Sequence, residues 1–302
     1  MIFLITVLSG GTGTPKLLQG IKEVVKEDEL SIVVNTLENN YFSGVYVSAD
    51  IDTVLYTMSD LINDKTWYGR KDDTFHTHDE LKKLGFNETL RIGDKDRALK
   101  IQKTMLMQEY SLTKCVKIQS ETLGIKANVL PMSDKQSEVI IKTDKGTMSF
   151  HEFLINRKSQ DKVLDVVFSK VEATNEVLNT LENSDQIIIG PSNPITSINP
   201  IISMPGIQKI LKKTYVTSVS PIIGENAVSG PAAKFMKASG YEVNPVGVAR
   251  IYEEFLDHYI INTMDDKYMN SLKEFIDKVS TTNIILRTLD DKIKLAKMIL
   301  DK

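Results

Sequence analysis

Cysteine is nearly absent: the 302-residue chain carries one, Cys115. That excludes an internal disulfide framework and fits a reducing cytoplasm. The neighbours of Cys115 show no nucleophile signature, so it reads as a buried packing thiol. Histidine is scarce too. His76 and His78 stand two apart with no further His or Cys nearby, which argues against zinc. There is no dense lysine or arginine tract and the formal net charge is −3, so nucleic acid is not the expected partner. The apolar run Ile2 to Leu8 is only seven residues and has no basic leader. It is too short to cross a bilayer, so neither a membrane nor an export segment is expected and the cytoplasm is the expected location. Internal repeats and low-complexity linkers are also missing. What remains is an ordinary globular composition, 41% hydrophobic and 25% charged, with ample chain for a large core.

The N-terminal apolar run leads straight into Ser9-Gly10-Gly11-Thr12-Gly13-Thr14-Pro15-Lys16, followed by the amphipathic stretch Leu17 to Val25. The pattern predicts a buried strand, a glycine-rich turn and a helix whose first residue is Pro15, a position that suits proline's fixed φ and missing N–H. Backbone N–H groups in such a turn, together with the helix dipole, attract negative charge. The turn therefore reads as a phosphate cradle of Gly10, Gly11, Thr12, Gly13 and Thr14, with Lys16 as an assisting cation. The competing reading is a tight turn with a structural role alone. Neither the dinucleotide spacing Gly-x-Gly-x-x-Gly nor the Walker spacing is met.

The first ~60 residues read as a βαβ unit, with a second strand at Ser31 to Thr36 and a helix at about Asp52 to Leu61; such a unit implies a parallel sheet. Later buried strands are expected at Val163 to Phe168, Gln186 to Ile189, Tyr215 to Val219 and His258 to Ile261. Helical stretches such as Thr174 to Leu181 and Pro231 to Ala238 alternate with them. Between about residues 64 and 161 the rhythm changes. Helices at Asp94 to Glu109 and Ser111 to Leu123 precede a hairpin around Asp144-Lys145-Gly146. The expected fold is α/β, a Rossmann-like parallel sheet flanked by helices, with a large mixed α+β insertion beside the active-site edge. The whole chain reads as one domain, closed by a helix at Leu289 to Leu300.

In open parallel sheets ligands sit beyond the carboxyl ends of strands. The expected strand ends here carry Asn35-Thr36, Gly190-Pro191-Ser192-Asn193-Pro194 and Ser220 to Asn226, with Ser229-Gly230-Pro231 closing the last loop. Each loop alone is an ordinary turn former, but together they suggest one convergent, rigid-walled site. Asp50 and Asp52 precede a helix. Asp52 could cap it, or the two carboxylates, side by side on extended backbone, could hold magnesium against a phosphate. Arg91 offers a planar fork for a phosphate or a ring carbonyl. Trp67, Tyr68 and Phe75 could stack on a flat ring system or simply fill a core.

These segments, taken in order, resemble the 2-phospho-L-lactate transferases of coenzyme F-420 biosynthesis, in particular the archaeal, methanogen-type members. The resemblance rests on Ser9 to Lys16, Asp50-Ile51-Asp52-Thr53-Val54, Trp67-Tyr68-Gly69, Gly93-Asp94-Lys95-Asp96, Gly190 to Pro194, Ser220 to Gly224 and Ser229 to Ala232. It implies a magnesium-dependent transferase that moves 2-phospho-L-lactate from lactyl-2-diphospho-5′-guanosine to the deazaflavin 7,8-didemethyl-8-hydroxy-5-deazariboflavin. Guanosine monophosphate would leave and coenzyme F-420-0 would form. On that basis Gly10 to Thr14 and Lys16 are assigned to the donor phosphates. Asp50 and Asp52 are assigned to magnesium and catalysis, Asp50, Arg91 and Asn193 to the deazaflavin, and Ser192, Asn193 and Ser220 to the nucleotide. A sheet-based homodimer is compatible with this architecture. The chain departs from the family pattern at Leu37-Glu38-Asn39-Asn40, where a glycine and adjacent acidic residues are usual, and at Glu225. The alternatives are a nucleotide- or deazaflavin-binding regulatory protein without turnover, against which Asp50, Asp52 and Arg91 together argue, and a nicotinamide oxidoreductase, against which the glycine spacing argues.

Overall fold

The computed structural model describes residues 3–228 and 230–301. Ile2 of the first apolar run and Ser229 of the Ser229-Gly230-Pro231 segment lie outside them. Fourteen strands form among these residues: β1 (Ile5–Ser9), β2 (Leu30–Val34), β3 (Asn40–Phe42), β4 (Val45–Val47), β5 (Asn128–Pro131), β6 (Val139–Thr143), β7 (Gly146–Ser149), β8 (Val163–Phe168), β9 (Gln186–Ile189), β10 (Tyr215–Val219), β11 (Ile222–Ile223), β12 (Asn226–Ala227), β13 (His258–Asn262) and β14 (Lys278–Thr282). Seven of them build one sheet in the order β14-β13-β10-β9-β1-β2-β5, and every pairing in it is parallel. The chain first winds outward from β1 through β2 to β5, then restarts on the other side of β1 at β9. This is the Rossmann-like strand order, extended by β14, and it puts a topological switch point between β1 and β9.

A sheet covered on both faces needs apolar residues in both directions along each strand, hence near-continuous apolar runs. Ile5 and Val7 of β1 join one core layer while Leu8 joins the other; Ile188 of β9 faces the first layer, and Ile187 and Ile189 the second. Helix α1 (Gly13–Ile21) covers the first face beside α2 (Ala49–Met58) and the C-terminal helix Leu289–Leu300. The approach of α1 to that last helix is close: a Cβ on Gly20 would lie 2.2 Å from the Lys292 carbonyl oxygen.

Several expectations are corrected here. Helix α1 begins at Gly13, so Pro15 sits in its first turn rather than at its first position; proline is tolerated there because no N–H in that turn has an intrahelical acceptor. Helix α2 begins at Ala49, three residues before Asp52. Strand β8 does not join the parallel sheet. It pairs antiparallel with β6, and with β7 forms a separate three-stranded sheet. Its apolar run is half exposed, with Leu164 52% accessible and Asp165 paired to Lys142 at 2.9 Å on the open face. Conversely β5, inside the 64–161 stretch read as an insertion, is the edge strand of the main sheet. Helices α3 (His76–Lys83), α4 (Asp94–Leu106) and α5 (Leu112–Thr122) thus lie between two sheet strands, and β6 to β8 form a second addition. Among the described residues no helix is long and apolar enough to cross a membrane.

Candidate active site

The loops leaving β1 and β9 meet at the switch point with almost no space between their backbones. A Cβ on Gly13 would lie 1.9 Å from the Pro191 carbonyl oxygen, and one on Gly190 would lie 2.1 Å from Thr14 Oγ1. Close approach, not an unusual φ, therefore requires glycine here. The Ser192 hydroxyl laces the loops together. It accepts from the Gly10 amide at 3.1 Å and the Thr14 amide at 3.4 Å, and shares a hydrogen bond with Thr14 Oγ1 at 2.7 Å. Asn193 caps the segment after it, accepting from the amides of Ile195 at 3.0 Å and Thr196 at 3.3 Å.

Helix α1 starts without a side-chain cap. Among the described residues, the amides of Gly11, Thr12 and Gly13 have no hydrogen-bond acceptor. All three residues line a cleft of about 180 Å³. Orphan amides at a helix N-terminus facing a cleft are an anion site by their own chemistry. The cleft's other walls include Asp50, Glu38, Ser192, Asn193, Phe150 and Leu154.

Asp50 comes within the cradle's own contact shell, since a Cβ on Gly11 would lie 2.2 Å from its Oδ1. Its Oδ2 accepts from Asn35 Nδ2 at 3.0 Å. Burial pushes the Asp50 carboxyl up to about 6 despite that bond, with the Asp52 charge adding to the rise. Glu38 lies two residues beyond Thr36. Burial, and then the charge of Asp50, push its carboxyl well above the usual range. These two oxygen donors share one cleft and are costly to ionise together, a conflict that a hard divalent cation relieves. Among the described residues no group of three or more His, Cys, Asp or Glu side chains is placed to hold a metal ion. A cation here would take its remaining ligands from water and phosphate, which is magnesium's habit.

Asp52 does not face this cleft. Residues two apart on a helix point about 200° away from one another, and α2 is already helical at Asp50. The expected side-by-side pair on extended backbone is thus corrected. The Asp52 carboxylate turns inward to two buried ammonium groups, 3.0 Å from Lys100 Nζ and in direct contact with Lys103 Nζ. It also accepts from Ser48 Oγ at 3.1 Å. Burial opposes its charge, but the two lysines more than offset that and bring it down to about 2. Lys100 continues the network to Asp96, which accepts from the Tyr56 hydroxyl at 2.6 Å. Asp52 therefore anchors the turn that carries Asp50, and its oxygens have no free valence for a metal.

Other expected site residues lie elsewhere. Lys16 points away from the cradle to the Trp67 ring, 5.2 Å from its centroid, with Lys292 at 5.1 Å from the same ring. The Thr14 hydroxyl is engaged by Ser192. Ser220 is fully buried and folded back on its own turn, donating to the Ile222 carbonyl at 2.7 Å. Arg91 is exposed and stacks on Phe75 at 3.9 Å, outside the cleft walls. The Gly93-Asp94-Lys95-Asp96 segment is a double cap. Asp73 accepts from the amides of Lys95 and Asp96, while Asp94 accepts from those of His76 and Thr77. Cys115 is buried, with its thiol pushed up by burial. The residues missed by sequence reasoning are Glu38, Phe150, Leu154, Thr196 and Ser197. Glu38 had a usable signal, its place just past the carboxyl end of β2; Phe150 and Leu154 reach the cleft only through the second sheet.

Comparison with known proteins follows this geometry. The family model described as 2-phospho-L-lactate transferase CofD matches residues 5–294. The 2-phospho-L-lactate transferase of Methanothermobacter thermautotrophicus is 52% identical over 297 residues, covering 98% of this chain and 97% of that one. That of Methanocaldococcus jannaschii is 50% identical over 309 residues, covering 100% and 98%. Among solved structures, a member of the UPF0052 family from Bacillus halodurans superposes with a TM-score of 0.68 at 17% identity, covering 99% of this chain and all of that one. That likeness concerns the fold alone.

Proposed function

We infer, from the premise that this chain belongs to the 2-phospho-L-lactate transferase CofD family, that its transferase site is the cleft between the α1 N-terminus and Asp50. The proposed donor is lactyl-2-diphospho-5′-guanosine and the proposed acceptor is 7,8-didemethyl-8-hydroxy-5-deazariboflavin. One observation carries the reading: the amides of Gly11, Thr12 and Gly13, unpartnered among the described residues, and the carboxylates of Asp50 and Glu38 line one cleft at the topological switch point. An anion cradle opposed by carboxylates that call for a cation is the arrangement a diphosphate donor needs.

In the proposed reaction the ribityl hydroxyl oxygen bonds to the phosphorus that carries lactate, and the bridging P–O bond to guanosine monophosphate breaks. Such transfers need positioning and charge neutralisation more than covalent help. The orphan amides hold the diphosphate. Asp50 orients the acceptor hydroxyl and takes its proton. Asn35 holds that carboxyl in place, and Asp52 with Lys100 and Lys103 fixes the turn beneath it. Phe150 and Leu154 supply the apolar wall that limits water. Asp50 and Glu38 would hold magnesium, which would neutralise the diphosphate charge. The whole chain is proposed to act as a single α/β domain.

The test combines variants with metal titration. Glu38→Gln should raise the magnesium concentration needed for half-maximal rate at least tenfold, and Asp50→Asn should abolish turnover without changing the melting temperature. An unchanged magnesium dependence in Glu38→Gln, or near-normal turnover in Asp50→Asn, would contradict these assignments.

A further inference from the structure

The cleft at the switch point is small. Its volume of about 180 Å³ is roughly that of six waters at about 30 Å³ each. A phosphate carrying a three-carbon acid fits such a space, whereas a tricyclic acceptor or a nucleoside does not. Besides the cradle amides and the two carboxylates, two further surfaces enclose it. One is apolar, formed by Phe150, Leu154 and Pro231. Phe150 is buried and packs on Phe235 with ring centroids 5.9 Å apart, while Leu154 is 39% exposed. The other surface presents neutral donors, Asn193 and Ser197. Asn193 Oδ1 is taken by the amides of Ile195 and Thr196, which leaves Nδ2 to donate. Ser197 Oγ stands beside the cradle, since a Cβ on Gly10 would lie 2.7 Å from it. Among the described residues no Lys, Arg or His lines the cleft.

We propose that this cleft is an acyl pocket that selects the transferred group. Asn193 Nδ2 and Ser197 Oγ hold the carboxylate of the donor's 2-hydroxy acid, and Leu154 and Phe150 receive its C3 methyl. The inference rests on the transferase reading of this cleft. With the phosphate on the cradle, C2 of the acid has a carboxylate and a methyl to place. The carboxylate goes to the donor side, because beside Asp50 and Glu38 it would meet like charge. Neutral donors must hold it, since the walls offer no cationic side chain. The methyl goes to the apolar side. A hydroxyl in its place would leave water there without gaining a partner. The pocket therefore favours a lactyl group over a glyceryl group, which differs from it only by a hydroxyl on C3. An apolar wall rejects an added hydroxyl by up to about 10²-fold.

Three donors tested on the full chain with deazaflavin and magnesium decide this: lactyl-2-diphospho-5′-guanosine, its glyceryl analogue, and an isopropyl analogue with a methyl in place of the carboxylate. Wild type should prefer the lactyl over the glyceryl donor in kcat/KM by about 10- to 10²-fold. Leu154→Asn, at an exposed position, gives the C3 hydroxyl a partner and should bring the two donors to similar kcat/KM. Asn193→Asp keeps the acceptor for the Ile195 and Thr196 amides but sets a charged oxygen where Nδ2 donates. By calorimetry, wild type should bind the lactyl donor at least tenfold more tightly than the isopropyl analogue, and Asn193→Asp should lose that advantage. Comparing two donors with the same diphosphate separates this loss from any general weakening of the cradle. Equal use of lactyl and glyceryl donors by the wild type, or an unchanged preference in Leu154→Asn, would overturn the pocket and leave the transferase reading intact. A full carboxylate advantage in Asn193→Asp would overturn it as well. A wild type that forms no product from any of the three donors would instead overturn the transferase reading, and the pocket with it.

Discussion

Ser192 Oγ lies 2.7 Å from Thr14 Oγ1, across the boundary at which the strand order reverses. One hydroxyl thereby joins the two halves of the sheet and holds the α1 N-terminus open toward the cleft. Ser192→Ala removes an acceptor from two amides and a partner from a buried threonine. The expected cost is about 1–3 kcal/mol of stability, with weaker diphosphate binding. Thermal unfolding and calorimetry check both.

Gly11→Ala places a Cβ 2.2 Å from Asp50 Oδ1. The backbone of the loop is held by its neighbours, so the carboxylate must move. Turnover should fall by at least 10²-fold, the range associated with losing a positioned base, while circular dichroism and melting temperature change little. A kinetic assay beside a thermal melt separates these outcomes.

Asp52→Asn should act on stability first. It leaves two buried ammonium groups short of a counter-charge, and breaking a buried pair this way costs roughly 3–5 kcal/mol. Replacing Asp52 and Lys103 together by Leu and Met should recover much of that loss. A denaturant series on the two variants is the check.

His258 gives the fold an acid-sensitive element. Burial, and then the Lys278 charge, bring its imidazole down to about 4, while Nε2 sits 2.9 Å from Ser280 Oγ on the neighbouring strand. The unfolded chain, with an ordinary histidine near 6.5, binds the proton more tightly than the folded one. Stability is therefore full above about pH 6.5 and falls as pH drops toward 4. In His258→Gln that part of the acid slope should vanish, as seen by denaturant unfolding at stepped pH.

Much of this architecture was legible in particular residues. Ile5 to Ser9, Gln186 to Ile189 and Tyr215 to Val219 are rich in apolar residues and buried along almost their whole length because both faces of the sheet are covered, and their ends marked the crevice. Asn128 to Pro131 was not legible as a sheet strand, since four residues ending in proline carry almost no periodic signal. Val163 to Phe168 misled in the opposite sense. Its apolar content matched a buried strand, although only antiparallel pairing with β6 explains its exposed Leu164. Asp50 and Asp52 were found together, but their separation depended on where α2 begins, and the lysines that claim Asp52 lie about fifty residues further on. Lys16 was misplaced because its register on α1 turns it to Trp67, a partner that spacing does not reveal.

The most direct measurement combines purified protein, deazaflavin, magnesium and lactyl-2-diphospho-5′-guanosine, following both products by chromatography. The account predicts one guanosine monophosphate released per phosphodiester formed, no product after chelation, and none from Asp50→Asn. Product formed at the wild-type rate by Asp50→Asn, or nucleotide and deazaflavin bound without any product from the wild type, would contradict it.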